Sequence, residues 1–162
     1  MGYKANKLTD QDCLAELLDE AFHISSVFPE DTDETCVVVA GSTAHTFGAW
    51  VEVTDNNSVT LSSKAVLNDL HVTEILLEDI SASDALFIGE LAYGDATTKT
   101  IVCRYRFLSQ LARVASVITT HKYRTASIPK GTKIYVRYKS SAPSSTVQVS
   151  LRHYLSGNGM GA

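Results

Sequence analysis

No acidic residue follows Asp95, and no Lys or Arg lies between Leu8 and Thr35. The formal charge of −4 therefore hides two unlike halves. Up to Asp95, 18 acidic residues face only Lys4, Lys7 and Lys64, a net of −15. From Lys99 onward 11 basic residues stand without an acid, a net of +11. Two arrangements follow from such asymmetry. Either strands from the two halves interleave in one sandwich and neutralise each other, or like-signed faces meet opposite faces on neighbouring chains.

Cysteine is scarce. Cys13, Cys36 and Cys103 are widely spaced with no C-x-x-C, which argues against a metal ribbon and against a disulfide framework. Cys36 and Cys103 are expected as reduced, small core residues in strands. Long apolar runs are missing too, and no stretch approaches the roughly 20 residues of a membrane span. Residues 1–7 lack the apolar run of a signal peptide, so synthesis and assembly in the cytoplasm are the default expectation. No P-loop and no Gly-x-Ser-x-Gly occurs. None of His23, His45, His71, His121 and His153 stands at metal-ligand spacing with another His, Cys or carboxylate. Glu74 and Glu78 share a strand face but lie about 13 Å apart at strand spacing, too far for glycosidase chemistry. Glu74, Glu78 and Glu90 are therefore expected as exposed sheet residues. No catalytic, cofactor or metal residue is assigned, and the chain is expected not to be an enzyme.

What the sequence does contain is period-two alternation. Ile134, Val136 and Tyr138 share one face of an expected strand, opposite Lys133, Tyr135, Arg137 and Lys139. Val147, Val149, Leu151 and His153 share one face of the next, opposite Gln148, Ser150, Arg152 and Tyr154. A sheet with one buried face needs this pattern. Strands are expected over residues 35–40, 46–54, 58–61, 71–80, 86–93, 100–107, 113–118, 122–128, 133–139 and 146–155, with residues 61–70 left between loop and short helix. Turn chemistry separates them at residues 40–42, 55–58, 81–84 and 94–97. Many short strands at this spacing favour an all-β antiparallel sandwich or jelly roll.

Before the strands, Thr9 to Asp12 reads as a helix start. Leu14, Leu17, Leu18, Ala21 and Phe22 then fall on one helical face among acidic residues. The expected division is an acidic helical arm over residues 1–34, a sandwich over 35–156 and a tail over 157–162. At about 15 residues the helix is marginal alone and needs a surface for its apolar stripe, on its own sandwich or on a neighbour.

The candidate interface residues are Leu14, Leu17, Leu18 and Phe22 of the arm, together with Trp50, Arg104, Arg106, Lys133, Tyr135, Arg137 and Lys139. Trp50 falls with Gly48 and Glu52, opposite Phe47, Ala49, Val51 and Val53, and is a candidate anchor if its face is outward. Arg104 and Arg106 flank Tyr105, which points the other way. A basic sheet face on an acidic chain is weak support for direct nucleic-acid binding, which is not expected.

The run Gly41-Ser42-Thr43-Ala44-His45-Thr46-Phe47-Gly48-Ala49-Trp50-Val51-Glu52-Val53 is the first part of a resemblance. Ile80-Ser81-Ala82-Ser83-Asp84, Arg104-Tyr105-Arg106-Phe107 and Ile128-Pro129-Lys130-Gly131-Thr132-Lys133-Ile134 extend it. Over about residues 35–155 the chain resembles a diffuse group of jelly-roll virion proteins of tailed bacteriophages. The acidic helix lies outside that pattern. The resemblance implies a structural role in the virion: capsid decoration or cement, a head fibre, or a neck or tail attachment. It also implies a homo-oligomer, often a trimer, in contact with the major capsid protein or with neck and tail proteins. A rival from another class is a carbohydrate-binding module of a host-recognition device, with Trp50, Tyr135 and Tyr154 lining one groove.

Overall fold

The structure is a computed structural model, and it describes residues 25–30, 36–110, 119–122 and 125–156, with 119–122 described by backbone alone. The expected helix, Leu14, Leu17, Leu18 and Phe22, the strand over 113–118 and the tail over 157–162 lie outside the described residues.

Nine strands are described: β1 Ser26–Phe28, β2 Cys36–Val39, β3 Val51–Glu52, β4 Leu70–Glu78, β5 Leu86–Gly94, β6 Lys99–Leu108, β7 Thr119–Lys122, β8 Lys133–Ser140 and β9 Thr146–Leu155. A single-turn helix, α1 Leu61–Lys64, precedes β4. All pairings among the described residues are antiparallel. In the five-stranded sheet the order is β1-β9-β4-β7, with β2 also on β9, and in the four-stranded sheet it is β3-β8-β5-β6. The pairs are nested: β1 and β2 with β9, β3 with β8, β4 with β7, and β5 with β6. This is a long antiparallel hairpin rolled into two sheets.

Alternation builds the core as expected. Ile134, Val136 and Tyr138 of β8 are buried, as are Val147, Val149 and Leu151 of β9. They meet Leu70, Ile75, Leu77, Phe87 and Leu91 from the neighbouring strands. Each such side chain contributes roughly 1.5–3 kcal/mol on burial. Gly89 makes room in this layer, since a Cβ there would lie 2.4 Å from the Tyr105 ring and 2.5 Å from that of Tyr138.

The sandwich has two ends. At one, the Asp69 carboxylate accepts from Lys130 N and Ser127 Oγ, next to α1 and the start of β8. At the other, Leu86 N donates to Ser141 Oγ and Ala85 N to Ser109 Oγ. The turn between β5 and β6 closes on Asp95, whose Oδ1 accepts from Thr97 N and Thr98 N at 2.7 and 2.6 Å.

Several expectations shift. Ser26–Phe28, assigned to the helical arm, is strand β1 and pairs with His153 to Leu151 of β9, so the sandwich begins before residue 35. Residues 58–61 do not make a strand. Asp55 Oδ1 accepts from Asn57 N and Val59 N, and the resulting turn leads into α1, capped by the Thr60 hydroxyl. Of the strand expected over 122–128, Lys122 belongs to β7, residues 123–124 lie outside the described residues, and Ile128 makes an isolated bridge to Leu70.

The strand expected over 46–54 is regular only at Val51–Glu52. The chain still runs beside β8, with Gly48 N on Tyr138 O and Val53 N on Ile134 O, both at 2.8 Å. From Phe47 to Val51 it advances four residues while β8 retreats three, from Lys139 to Val136. The extra residue is a bulge. Gly48 also approaches β2 so closely that a Cβ would meet Val39 O at 2.0 Å.

Candidate interaction surface on the four-stranded sheet

The candidate surface is the outer face of the four-stranded sheet. Inward burial of Ile134, Val136 and Tyr138 turns Lys133, Tyr135, Arg137 and Lys139 outward. Register then sets Glu90 and Arg104 beside Arg137, and Arg106 beside Ile88 and Lys139. Tyr105 and Phe107 point into the core, as their parity requires.

Glu90 is the centre of this face. It is fully buried and held from both sides. Arg137 donates Nε to Oε2 at 2.7 Å and Nη2 to the same oxygen at 2.6 Å. Arg104 donates Nε to Oε1 at 2.7 Å, and its Nη2 also touches Oε1. Burial pushes the Glu90 carboxyl up, but the hydrogen bonds from Arg137 and Arg104 outweigh it and hold it below its ordinary value. Glu90 is thus not the exposed acid expected from alternation. Its partners lie 14 and 47 residues away in sequence.

Above that pair sits an aromatic clamp. The Arg137 guanidinium carbon is 4.3 Å from the Phe47 ring centroid and 4.2 Å from that of Trp50. The bulge explains why Phe47 and Trp50, expected on opposite faces, share one. Toward the α1 end, Lys99 Nζ lies 4.4 Å over the Tyr135 ring, and Tyr135 is buried beneath it. Lys133 Nζ pairs with Glu52 Oε2 at 2.7 Å, and the Glu52 hydrogen bond raises the lysine pKa. The other Glu52 oxygen, Oε1, is buried without a hydrogen-bond partner among the described residues.

Lys99, Arg104, Arg106, Lys133, Arg137 and Lys139 give this face six cations against Glu52 and Glu90, a surplus of four. Arg106 and Lys139 have no ion pair among the described residues. Leu86, Ile101 and Leu108 are 42%, 46% and 57% exposed on the same side. The face is therefore cationic with an apolar margin.

Every described ion pair joins an acid of the first half to a base of the second: Glu52–Lys133, Glu74–Arg152, Glu90–Arg104 and Glu90–Arg137. Interleaving neutralises part of the asymmetry, and the cationic face is what it leaves over. All seven candidates from the sandwich, Trp50, Arg104, Arg106, Lys133, Tyr135, Arg137 and Lys139, come together here. Alternation found them, but it missed Phe47, Glu90 and Lys99, whose roles depend on a bulge, on cross-strand register and on a turn.

The three aromatics proposed for a carbohydrate groove do not share one. Tyr154 lies on the five-stranded sheet, stacked on His71 at 4.7 Å, Tyr135 is covered by Lys99, and Trp50 is engaged by Arg137. Cys36 is buried and Cys103 half-buried, both free thiols. Burial raises both thiol pKa values, that of Cys103 to about 11. Among the described residues no group of three or more His, Cys, Asp and Glu converges, and no helix is long and apolar enough to cross a membrane.

No protein-family model matches the chain, and no curated protein matches it. Among solved structures, a chain in "Structure of infectious bursal disease virus Gx strain" aligns with 84% of this chain at 12% identity and a TM-score of 0.37. The aligned part is 33% of that viral chain, so this chain spans about a third of its length.

Proposed function

We propose that this chain is a non-enzymatic structural subunit of a phage virion, decorating or reinforcing the capsid as a homo-oligomer, a trimer as the resemblance implies. The observation that carries the reading is the outer face of the four-stranded sheet. Its centre is held by Glu90 between Arg104 and Arg137, and its margin keeps exposed leucines beside Arg106 and Lys139, which have no ion pair among the described residues. Part of the run behind the resemblance to phage virion proteins, around Phe47 to Trp50, lies at this surface. Gly48 lets the chain cross close to β2, and Phe47 and Trp50 clamp Arg137.

Size supports a role in a lattice. Four strands about 4.8 Å apart and about 26 Å long give a face of roughly 500 Å². A stable pairwise interface takes about 800 Å² per partner. One such face makes a weak contact, and repeated contacts on a particle add up through effective concentration.

Quantitative mass spectrometry of purified particles tests the reading. Hundreds of copies per particle place the chain on the shell, and a dozen or fewer place it in a neck or tail ring. Absence from the particle overturns the proposal.

A further inference from the structure

We propose that the open corner of this face receives the acidic segment over residues 9–22 from a second copy of the chain. The inference rests on the assembly reading above and names the partner. The corner is formed by Arg106, Lys139, Leu86 and Leu108. Leu86 lies opposite Leu108, and Ile88 lies between Arg106 and Lys139. Arg106 and Lys139 have no ion pair among the described residues, and both leucines are exposed.

The segment has the complementary chemistry. Asp10, Asp12, Glu16, Asp19 and Glu20 are its charges, without a Lys or Arg among them, and Leu14, Leu17, Leu18 and Phe22 are its apolar side. Acid meets two cations without an ion pair among the described residues, Lys139 resting 5.1 Å from the Phe47 ring centroid, while leucine and phenylalanine meet leucine. In helical form fourteen residues measure about 21 Å, close to the roughly 26 Å of a strand the length of β8.

Position favours a second copy over the segment's own sandwich. Ser26 pairs with His153, near the α1 end, on the edge of the five-stranded sheet. The open corner is at the other end. From Lys133 to Lys139 is about 20 Å along β8, and from β3 to β6 is three strand steps, about 14 Å. Ser26, four residues after the segment, therefore lies at the diagonally opposite corner of its own domain. Between the two corners the face is already filled by the Lys133–Glu52 pair, the Lys99–Tyr135 contact and the Phe47–Arg137–Trp50 clamp.

The test uses full-length protein, light and nitrogen-15-labelled, mixed in equal amounts and joined with a zero-length carbodiimide. Mass spectrometry then reads which carboxylates join which lysines. Mixed-isotope links from Asp10, Asp12, Glu16, Asp19 or Glu20 to Lys139 are expected. In sedimentation velocity, Arg106→Glu with Lys139→Glu should weaken self-association about tenfold at low salt. The effect should shrink at 1 M salt, where the Debye length is about 3 Å. Reversing the arm with Asp12→Lys and Glu16→Lys should restore association to the reversed face. Links confined to one isotope, or association indifferent to the reversal, overturn the inference. Particles that contain the protein while no mixed links form sink this proposal alone. Mixed links from a protein absent from particles sink the virion reading alone.

Discussion

Replacing Glu90 by Gln tests whether the surface is built around that carboxylate. Glu90 is fully buried, the Arg137 side chain is 26% exposed and that of Arg104 is 61% exposed. Removing one member of a buried ion pair costs about 3–5 kcal/mol, because the other charge is left without a partner. Arg104 is open to water and contributes at most about 1 kcal/mol. Arg137 keeps some hydration and its aromatic clamp, so the expected loss is about 2–4 kcal/mol. At roughly 2–4 °C per kcal/mol for a chain of this size, 3 kcal/mol lowers Tm by roughly 6–12 °C. Urea unfolding, followed by the fluorescence of the single Trp, should show a lower midpoint at unchanged slope. Acid gives a second reading. The folded carboxyl is held below its ordinary 4.5, so its stabilisation is present above that pH and is lost as pH falls through the folded value. Glu90→Gln lacks this component, and the gap to the parent should narrow below pH 4.5. Arg137→Ala should cost more than Arg104→Ala, since it also empties the slot between Phe47 and Trp50. A Glu90→Gln protein within about 0.5 kcal/mol of the parent would refute the reasoning, because a partner lost from a buried pair costs several times that.

Three further outcomes are expected. Gly89→Ala should destabilise by about 1–3 kcal/mol in urea, because its Cβ meets the Tyr105 and Tyr138 rings at 2.4 and 2.5 Å. Burial pushes the imidazole of His153 below 6.5, against the Leu151 carbonyl and Glu30, so the unfolded chain takes up that proton first. Stability should therefore be full above pH 6.5 and decline below it, until His153 protonates in the folded state, and His153→Leu should remove that decline from pH-dependent unfolding curves. With burial raising the Cys36 thiol and holding that of Cys103 at about 11, both should react with iodoacetamide at pH 8 far more slowly in the native state than in urea.

The sandwich was legible where the signal is local. Alternation in β8 and β9 fixed which side chains enter the core, because an antiparallel strand with one wet face repeats every two residues. The same parity put Lys133, Tyr135, Arg137 and Lys139 on one side of their strand and Arg104 and Arg106 on one side of theirs, while register joins them with Trp50 on one face. Long-range pairing was not legible. The bulge between Phe47 and Val51 exists only against β8, so Phe47 could not be assigned to the face of Trp50 from its own neighbours. Glu90 reads as an exposed acid until register places Arg104 and Arg137 beside it. β1 is three residues long, too short for a period to show, and its place in the sheet is set by β9 at the far end of the chain. In α1 only the Thr60 cap marks the helix, since Ser62 and Ser63 have no strong helical preference.

For the proposed virion subunit, a residue-resolution reconstruction of the purified particle bears most directly on the role of the cationic face. The expected map has Arg106, Lys139, Leu86 and Leu108 covered by a neighbouring subunit, with Glu90 still enclosed by Arg104 and Arg137. A map in which that face looks out to solvent, and the subunit is held by other surfaces, would contradict it.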